Sequence, residues 1–342
     1  MSVAELLALD LDGLPLAVDL GNLTDLNFLI GIAGVLAGVY AIFALGLQLN
    51  VGFTGIVNFG QAGFMAVGAY SMGLLVVKAG FSFWLAMPVA ILIAIAFGLL
   101  VGLPSLRLRA DYFAIATIAA AEIVRLFANN ARELTGGNQG LSCAEDDPTL
   151  CYDNTWLDIE DAGLDFAEGL GWSDPVSLFP LFVAVWVTVI VLTAILYYVQ
   201  RSPWGRVLRA VREDEDAARA LGKNAFAYKL QSLAISAALA AIAGFFLALN
   251  VNNISPREFE PLFTFFGYGV LVLGGLANYW GVALGSIIFF FLIEGTRNID
   301  LGFTDEQQAA LRFMVVGLVL ILLMAFRPQG IFGKREEMVL GE

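Results

Sequence analysis

Residues 201–229 read RSPWGRVLRAVREDEDAARALGKNAFAYK, a polar island between two long apolar runs. It holds seven basic residues, Arg201, Arg206, Arg209, Arg212, Arg219, Lys223 and Lys229, and four consecutive acids from Glu213 to Asp216. In so apolar a polypeptide a charged segment of this length must lie in water, and its excess of Arg and Lys places it on the cytoplasmic side of a membrane. Ser202-Pro203-Trp204-Gly205 gives a turn with an interfacial aromatic. Arg206 to Leu221 is an Arg-rich amphipathic stretch, and Gly222 is a stop signal. One reading is a juxtamembrane helix lying on anionic lipid. The run Glu213–Asp216 would be repelled there, so a docking helix for a protein partner fits both signs of charge better.

Outside this island the chain is oily. Of 342 residues 59% are hydrophobic and 14% charged, against about 25% charged in a soluble domain. The apolar residues fall in blocks, which defines an all-α, polytopic transmembrane helical bundle. Crossing a bilayer takes about 20 apolar residues, and candidate runs are 28–48, 56–77, 83–103, 112–128, 176–199, 230–249, 263–293 and 310–326. As one helix the seventh would be about 45 Å long, beyond a hydrocarbon core of about 30 Å. It contains Gly274-Gly275 and Asn278-Tyr279-Trp280-Gly281, and so reads as two shorter helices joined near Asn278. Eight runs with one divided give nine crossings, within a range of eight to ten. An odd count suits an acidic N-terminus outside and a basic C-terminus inside (Arg327, Lys334, Arg335). Arg107 and Arg109 then fall inside, and Lys78 falls outside as a minor dissent.

Net charge is −13, with no His, 14 Arg and 4 Lys. Residues 133–174 hold eleven acids and no Arg or Lys; residues 1–25 hold five and none. Both segments read as extracytoplasmic. The chain is expected to be a single transmembrane domain, 1–342, with an outer acidic loop over 131–175 and a cytoplasmic loop over 200–229. Acid-rich, Lys-poor segments also fit a salt-rich habitat, a halophile, where ions screen carboxylate repulsion. The two cysteines, Cys143 and Cys151, both lie in the acidic loop. Facing an oxidising side they would form a disulfide; otherwise they are two free thiols. No signal peptide is expected, because the N-terminus lacks a basic n-region followed by an apolar run and a small-residue cleavage site.

Two further features bear on chemistry. From Gly46 to Gly73 seven glycines punctuate apolar residues and a polar set, Gln48, Asn50, Thr54, Asn58 and Gln61. Broken backbone at membrane depth is tolerated only inside protein or beside a water-filled cavity. Asn50, Thr54, Asn58 and Gln61 are therefore candidate lining for a solute pathway; helix packing with amides satisfying broken backbone is the alternative. Glu122 with Arg125 and Glu294 with Arg297 have i,i+3 spacing and read as structural pairs, and Arg312 is a further charge near a span. The absences narrow the classes. There is no G-x-x-x-x-G-K-[ST] phosphate loop, and without His a zinc site or His-based catalysis is excluded. No soluble segment is large enough for an enzyme site, and no nucleic-acid partner is expected.

Several motifs occur together in order. They begin with Leu49-Asn50-Val51-Gly52-Phe53-Thr54-Gly55, Phe59-Gly60-Gln61-Ala62-Gly63-Phe64 and Gly68-Ala69-Tyr70. Leu106-Arg107-Leu108-Arg109-Ala110-Asp111-Tyr112-Phe113-Ala114 and Leu134-Thr135-Gly136-Gly137-Asn138-Gln139-Gly140 follow. Next come Ser202-Pro203-Trp204-Gly205-Arg206, Arg212-Glu213-Asp214-Glu215, Ala217-Ala218 and Leu221-Gly222. Val272-Leu273-Gly274-Gly275-Leu276, Trp280-Gly281, Leu284-Gly285 and the tail Arg327-Pro328-Gln329-Gly330-Ile331-Phe332-Gly333 complete the set. From about Tyr40 to Gly333 the chain resembles the M-type (LivM-like) permease subunit of branched-chain amino-acid ATP-binding-cassette importers. The family often has Ser where Asn58 stands and His where Gln61 stands.

The resemblance implies a non-catalytic membrane subunit that binds no cofactor itself, ATP being held by partner subunits. Its implied partners are two cytoplasmic ATPases, a second permease of H-type, an extracytoplasmic solute-binding protein and the lipid bilayer. Implied coupling residues are Arg206, Arg209, Arg212, Glu213, Asp216, Ala217, Ala218 and Gly222. Asp216 stands where the general importer coupling motif E-A-A-x-x-x-G has Glu. The acidic insert 145–174 is longer than the family pattern, and permeases for urea, short amides or other amino acids look alike. Rival classes are an ion-coupled secondary transporter, which broken helices with midmembrane polar groups would also suit, and a scaffold without transport. Adjacent genes for two ATPases, a second permease and a secreted binding protein would favour the importer.

Overall fold

A computed structural model of the protein describes residues 30, 34–141, 154–169, 178–295, 305–327 and 330–333. Cys143, Cys151, Arg297, Lys334, Arg335 and the acidic segment 1–25 lie outside the described residues, as do the side chains of Glu294 and Arg312.

The described residues form helices throughout, with one isolated bridge between Leu141 and Ile254. Helix α1 (Val35–Leu47) runs directly into a π-helical segment, Gln48–Thr54. Then come α2 (Gln61–Val77), α3 (Phe83–Ser105), α4 (Ala110–Asn130), α5 (Asn154–Gly169) and α6 (Phe179–Arg201). A short amphipathic pair, α7 (Pro203–Glu213) and α8 (Glu215–Ala220), leads to α9 (Ala225–Val251). The chain closes with α10 (Pro261–Gly274), α11 (Tyr279–Gly295) and α12 (Asp305–Phe326).

All eight apolar runs therefore become helices, and the seventh divides as expected. Its halves, α10 and α11, meet at a bend of 115° around residues 275–278. Gly274 and Gly281 bring the two backbones so close that a methyl on Gly274 would lie 2.3 Å from the Gly281 carbonyl oxygen. Among the described residues, by length and composition alone, four helices can cross a membrane (35–54, 83–105, 179–201, 225–251), and a fifth if the bent pair counts as one. The other runs hold shorter apolar helical stretches, 61–77 and 313–322, and the charge-bearing α4. Helix α2 is short because residues 55–60 before it are not helical, and α4 carries Asp111, Glu122 and Arg125.

Helix α1 lies at the centre, buried along almost its whole length, with α9, α6, α10 and α11 packed on it. Helices α2, α3 and α9 form the other half of the core. Small residues set their separation, since a methyl on Gly68 would meet the Ala241 Cα at 2.4 Å and one on Gly244 the Met65 carbonyl at 2.5 Å. Without a hydrophobic drive between helices in lipid, such close backbone contact is what dispersion requires.

The acidic stretch is not all loop, as the sequence reading had it. Its part 154–169 forms α5, which rests on α6. Trp156, Ile159, Gly163 and Ala167 recur at helical spacing toward α6, whereas Asp158, Asp161, Asp165 and Glu168 face out. Amphipathic periodicity hidden under a high acid count explains the miss. At the same end Lys78 donates to the Glu133 carbonyl.

Candidate functional site: the amphipathic helix pair and the π-helical segment

The polar island folds as two helices rather than the single amphipathic stretch Arg206–Leu221. Ser202 caps α7, its hydroxyl accepting from the Gly205 N–H, and Pro203 fills the first helical position, where no N–H is needed. Gly205 sits against the Gln200 backbone, where a methyl would lie 2.2 Å from its carbonyl oxygen. Asp214 then turns extended (φ −152°, ψ 106°), and its carboxylate accepts from the N–H groups of Asp216 and Ala217, both at 2.9 Å. An extended residue with a short acceptor is an N-cap, so the acid run starts a new helix instead of continuing the old one. Gly222 ends α8 with φ +77° and nothing within 4 Å of its Cβ position. The need there is backbone handedness, not space.

The pair has two sides. Val207, Val211, Ala218 and Ala225 form a small apolar core beneath it. Trp204 donates to Gln231 Oε1 (2.7 Å), and Glu215 pairs with Arg219 (2.6 Å) and with Lys229 of α9 (2.5 Å). The other side is open. Arg206, Glu213, Ala217 and Gly222 are exposed, and Asp216 is 93% exposed with only Arg219 at 3.5 Å. Leu221, a large apolar side chain, is 79% exposed beside them.

Arg209 and Arg212 point elsewhere. The Arg209 guanidinium lies 5.6 Å from the Phe53 ring centroid, and Arg212 donates to the Gly52 carbonyl. Both partners belong to the π-helical segment, whose wider turn frees carbonyls from the regular ladder. Phe53 in turn stacks on Tyr279 at 4.9 Å. The Gln48 amide, oriented with its oxygen toward the 275–278 bend, accepts from the N–H groups of Ala277 and Asn278 at 2.5 and 2.7 Å. The π segment thus bridges α7 to the bend between α10 and α11.

Asn50, Thr54, Asn58 and Gln61 are each 1% exposed or less. They are held in one network with two serines of α9. Asn50 Nδ2 donates to Ser236 Oγ (2.9 Å), and Ser232 Oγ donates to Asn50 Oδ1 (3.0 Å). Thr54 Oγ1 reaches Ser232 Oγ (2.8 Å), while Ser236 Oγ donates to Gln61 Oε1 (2.8 Å). Asn58 Nδ2 donates to Gln61 Oε1 (3.0 Å), and its Oδ1 accepts from Gly60 N–H (2.9 Å). In this conformation the four face one another and α9, not open space. The sequence reading missed Ser232 and Ser236, which look like ordinary small residues of a span. Asp214, Glu215 and Leu221 enter that reading only as parts of the island's motifs, without roles of their own. The Glu122–Arg125 pair forms as expected, at 2.5 Å.

A helical bundle with apolar spans, a bent helical hairpin and an amphipathic, Arg-rich helix pair leaning on a broken span is a multi-pass membrane protein. The family described as "Branched-chain amino acid transport system / permease component" matches residues 29–324, and the chain belongs to it. It is 35% identical over 296 residues to the high-affinity branched-chain amino acid transport system permease protein LivM of Escherichia coli K12, covering 86% of this chain and 67% of the relative. A probable LivM of Methanocaldococcus jannaschii is 28% identical, over 87% of this chain and 91% of that one. LivH of Escherichia coli K12 is 25% identical, over 88% and 93%. No solved structure matches.

Proposed function

We propose that the chain is the M-type permease subunit of an ATP-binding-cassette importer for branched-chain amino acids, working as one transmembrane domain. The names of its relatives supply the solute class. The observation that carries the mechanism is the two-sided helix pair, with one face open and charged and the other latched by Arg212 to Gly52. In this reading two cytoplasmic ATPases dock on the open face through Arg206, Glu213, Asp216, Ala217 and the Gly222 turn. They bind the ATP, and the chain itself binds no cofactor and catalyses nothing. Arg209 and Arg212 pass the displacement to the π segment, and Ala218 anchors the pair.

The Arg-rich end is then cytoplasmic, the N-terminus and the acidic stretch are outside, and the C-terminus is inside. A second permease of H-type completes the pathway in the bilayer. An extracytoplasmic binding protein delivers the solute at the acidic end. Asn50, Thr54, Asn58 and Gln61 form a closed polar plug in this conformation and open onto the pathway when the π segment moves. The outward acids of α5 support a salt-rich habitat.

The test is uptake of labelled leucine and, separately, urea into proteoliposomes holding the complete complex at high salt. Leucine uptake that needs both ATP and the binding protein is expected. Urea uptake with the same needs would move the solute class, and ATP-independent uptake driven by an ion gradient would replace the importer with a secondary transporter.

A further inference from the structure

At the Arg-rich end, a cavity of about 430 Å³ opens between the α3–α4 turn, the end of the π segment and the α8–α9 corner. Arg107, Arg109, Arg219 and Lys229 line it with a single carboxylate, Glu215, leaving an excess of three positive charges. Glu215 is already engaged by Arg219 and Lys229. The charge in excess therefore belongs chiefly to Arg107 and Arg109, neither of which has an acidic partner among the described residues. Ala110, the first residue of α4, also lines the space, so the positive end of a 21-residue helix adds to the field.

The walls are apolar. Leu106, Leu108, Phe113 and Phe226 line the same cavity, and Arg107 lies 5.9 Å from the Phe226 ring centroid. Beside it, Leu100 and Leu103 of α3 are 69% and 47% exposed and continue the 50%-exposed Leu108 of the cavity wall as an uncovered apolar strip. A free phosphate has no use for that strip, but an acyl chain does.

We infer that this cavity binds the phosphate headgroup of an anionic membrane lipid, with the acyl chains along the exposed strip of α3. Paired guanidiniums suit phosphate oxygens, and basic pockets at helix ends on the cytoplasmic face collect anionic headgroups. A bound headgroup would join Arg107 and Arg109 to Arg219 and Lys229, the residues that tie α8 to α9 through Glu215. It would therefore brace the amphipathic pair. The inference needs no particular transported solute.

The test uses the full chain in phosphatidylcholine vesicles with trace spin-labelled phosphatidylglycerol or spin-labelled phosphatidylcholine, reading the motionally restricted fraction. A saturable preference of about tenfold for phosphatidylglycerol is expected. It should vanish in Arg107→Ala/Arg109→Ala and persist in Arg257→Ala, which removes an exposed cation from the opposite end. Both arginines are exposed on a turn; if the double variant fails to insert, Arg109→Gln alone should lower the preference. No preference in the natural chain, or one that survives the arginine substitutions, overturns the site. Displacement of the labelled lipid by an equal concentration of inorganic phosphate overturns the lipid in favour of a free phosphate.

Discussion

Arg212→Ala tests the proposed transmission most directly. The guanidinium donates to the Gly52 carbonyl from the last turn of α7, and its stem passes Gly55, where a methyl would lie 3.3 Å from Arg212 Cγ. A hydrogen bond from a charged donor contributes about 1.5–3 kcal/mol when its partner is buried. Arg212 is only half-buried, so the low end, about 1.5 kcal/mol, is the appropriate figure. A loss of that size between α7 and the π segment changes an equilibrium between two arrangements by about tenfold. The open face of the helix pair is untouched, and docked ATPases should go on hydrolysing ATP. The expected result, in proteoliposomes of the complete complex, is a fall of about tenfold in leucine taken up per ATP hydrolysed, with hydrolysis itself within about twofold of the natural complex. Arg212→Lys, which keeps a donor but loses the planar fork, should fall in between. An unchanged ratio of uptake to hydrolysis in Arg212→Ala would refute the latch.

Replacing the open face instead, as Asp216→Lys/Gly222→Leu, should abolish ATP-driven uptake and leave membrane insertion intact. A non-glycine residue at φ +77° costs about 1–2 kcal/mol of backbone strain and meets no neighbour; full uptake in that variant would sink the docking assignment. Ser236→Ala should lower thermal stability by about 1–3 kcal/mol, because Asn50 Nδ2 loses its acceptor and Gln61 Oε1 a donor in a dry interior; a melting temperature identical to the natural chain would show the network to be slack. Glu258 sits in the turn before α10, where burial first and the neighbouring Glu260 second raise its pKa above the ordinary 4.5. A carboxylate whose folded pKa is raised favours folding while protonated, so stability should be highest below pH 4.5 and decline as pH rises through the raised value. Glu258→Gln should flatten that decline in thermal melts taken from about pH 4 to about pH 7; an unchanged slope would assign it to other groups.

The helices themselves were legible because bilayer-scale hydrophobicity is a strong signal, and the divided seventh run was legible because it was too long for one span. What stayed hidden depended on backbone geometry. Nothing in Arg212-Glu213-Asp214-Glu215 says that Asp214, and not a neighbour, leaves the helix; that choice is made by the core of Val211, Ala218 and Ala225 under the pair. The π-helical turn at Gln48–Thr54 was half-visible as glycines among amides, but its consequence, a freed carbonyl at Gly52 facing Arg212, needs residues 160 apart in sequence. Polarity identified Asn50 and Gln61. Their state was invisible because Ser232 and Ser236, their partners, resemble any small residue that lets helices approach.

The C-terminal motif acquires a physical reason from the same end of the fold. Helix α10 stops at Gly274, and its last carbonyls have no partner within the helix. The tail supplies one, since the Ile331 N–H donates to the Leu273 carbonyl at 2.9 Å. Asn278, at the bend, donates its side-chain amide to the Phe332 carbonyl at 3.0 Å. Gly330 makes this approach possible, because a methyl there would lie 2.6 Å from the Gly275 Cα. The bend is therefore held from two directions, by Gln48 of the π segment and by the tail. A displacement of α7 that moves the π segment would act on a bend already clamped by the chain's own end, so the bend can only rotate with the tail or part from it. Contiguity of this kind is geometry and not yet coupling. A double-mutant cycle between Arg212→Ala and Asn278→Ala, read in uptake per ATP, separates the two: an interaction energy above about 0.5 kcal/mol means that helix pair and bend move as one, and simple additivity means that the tail isolates them.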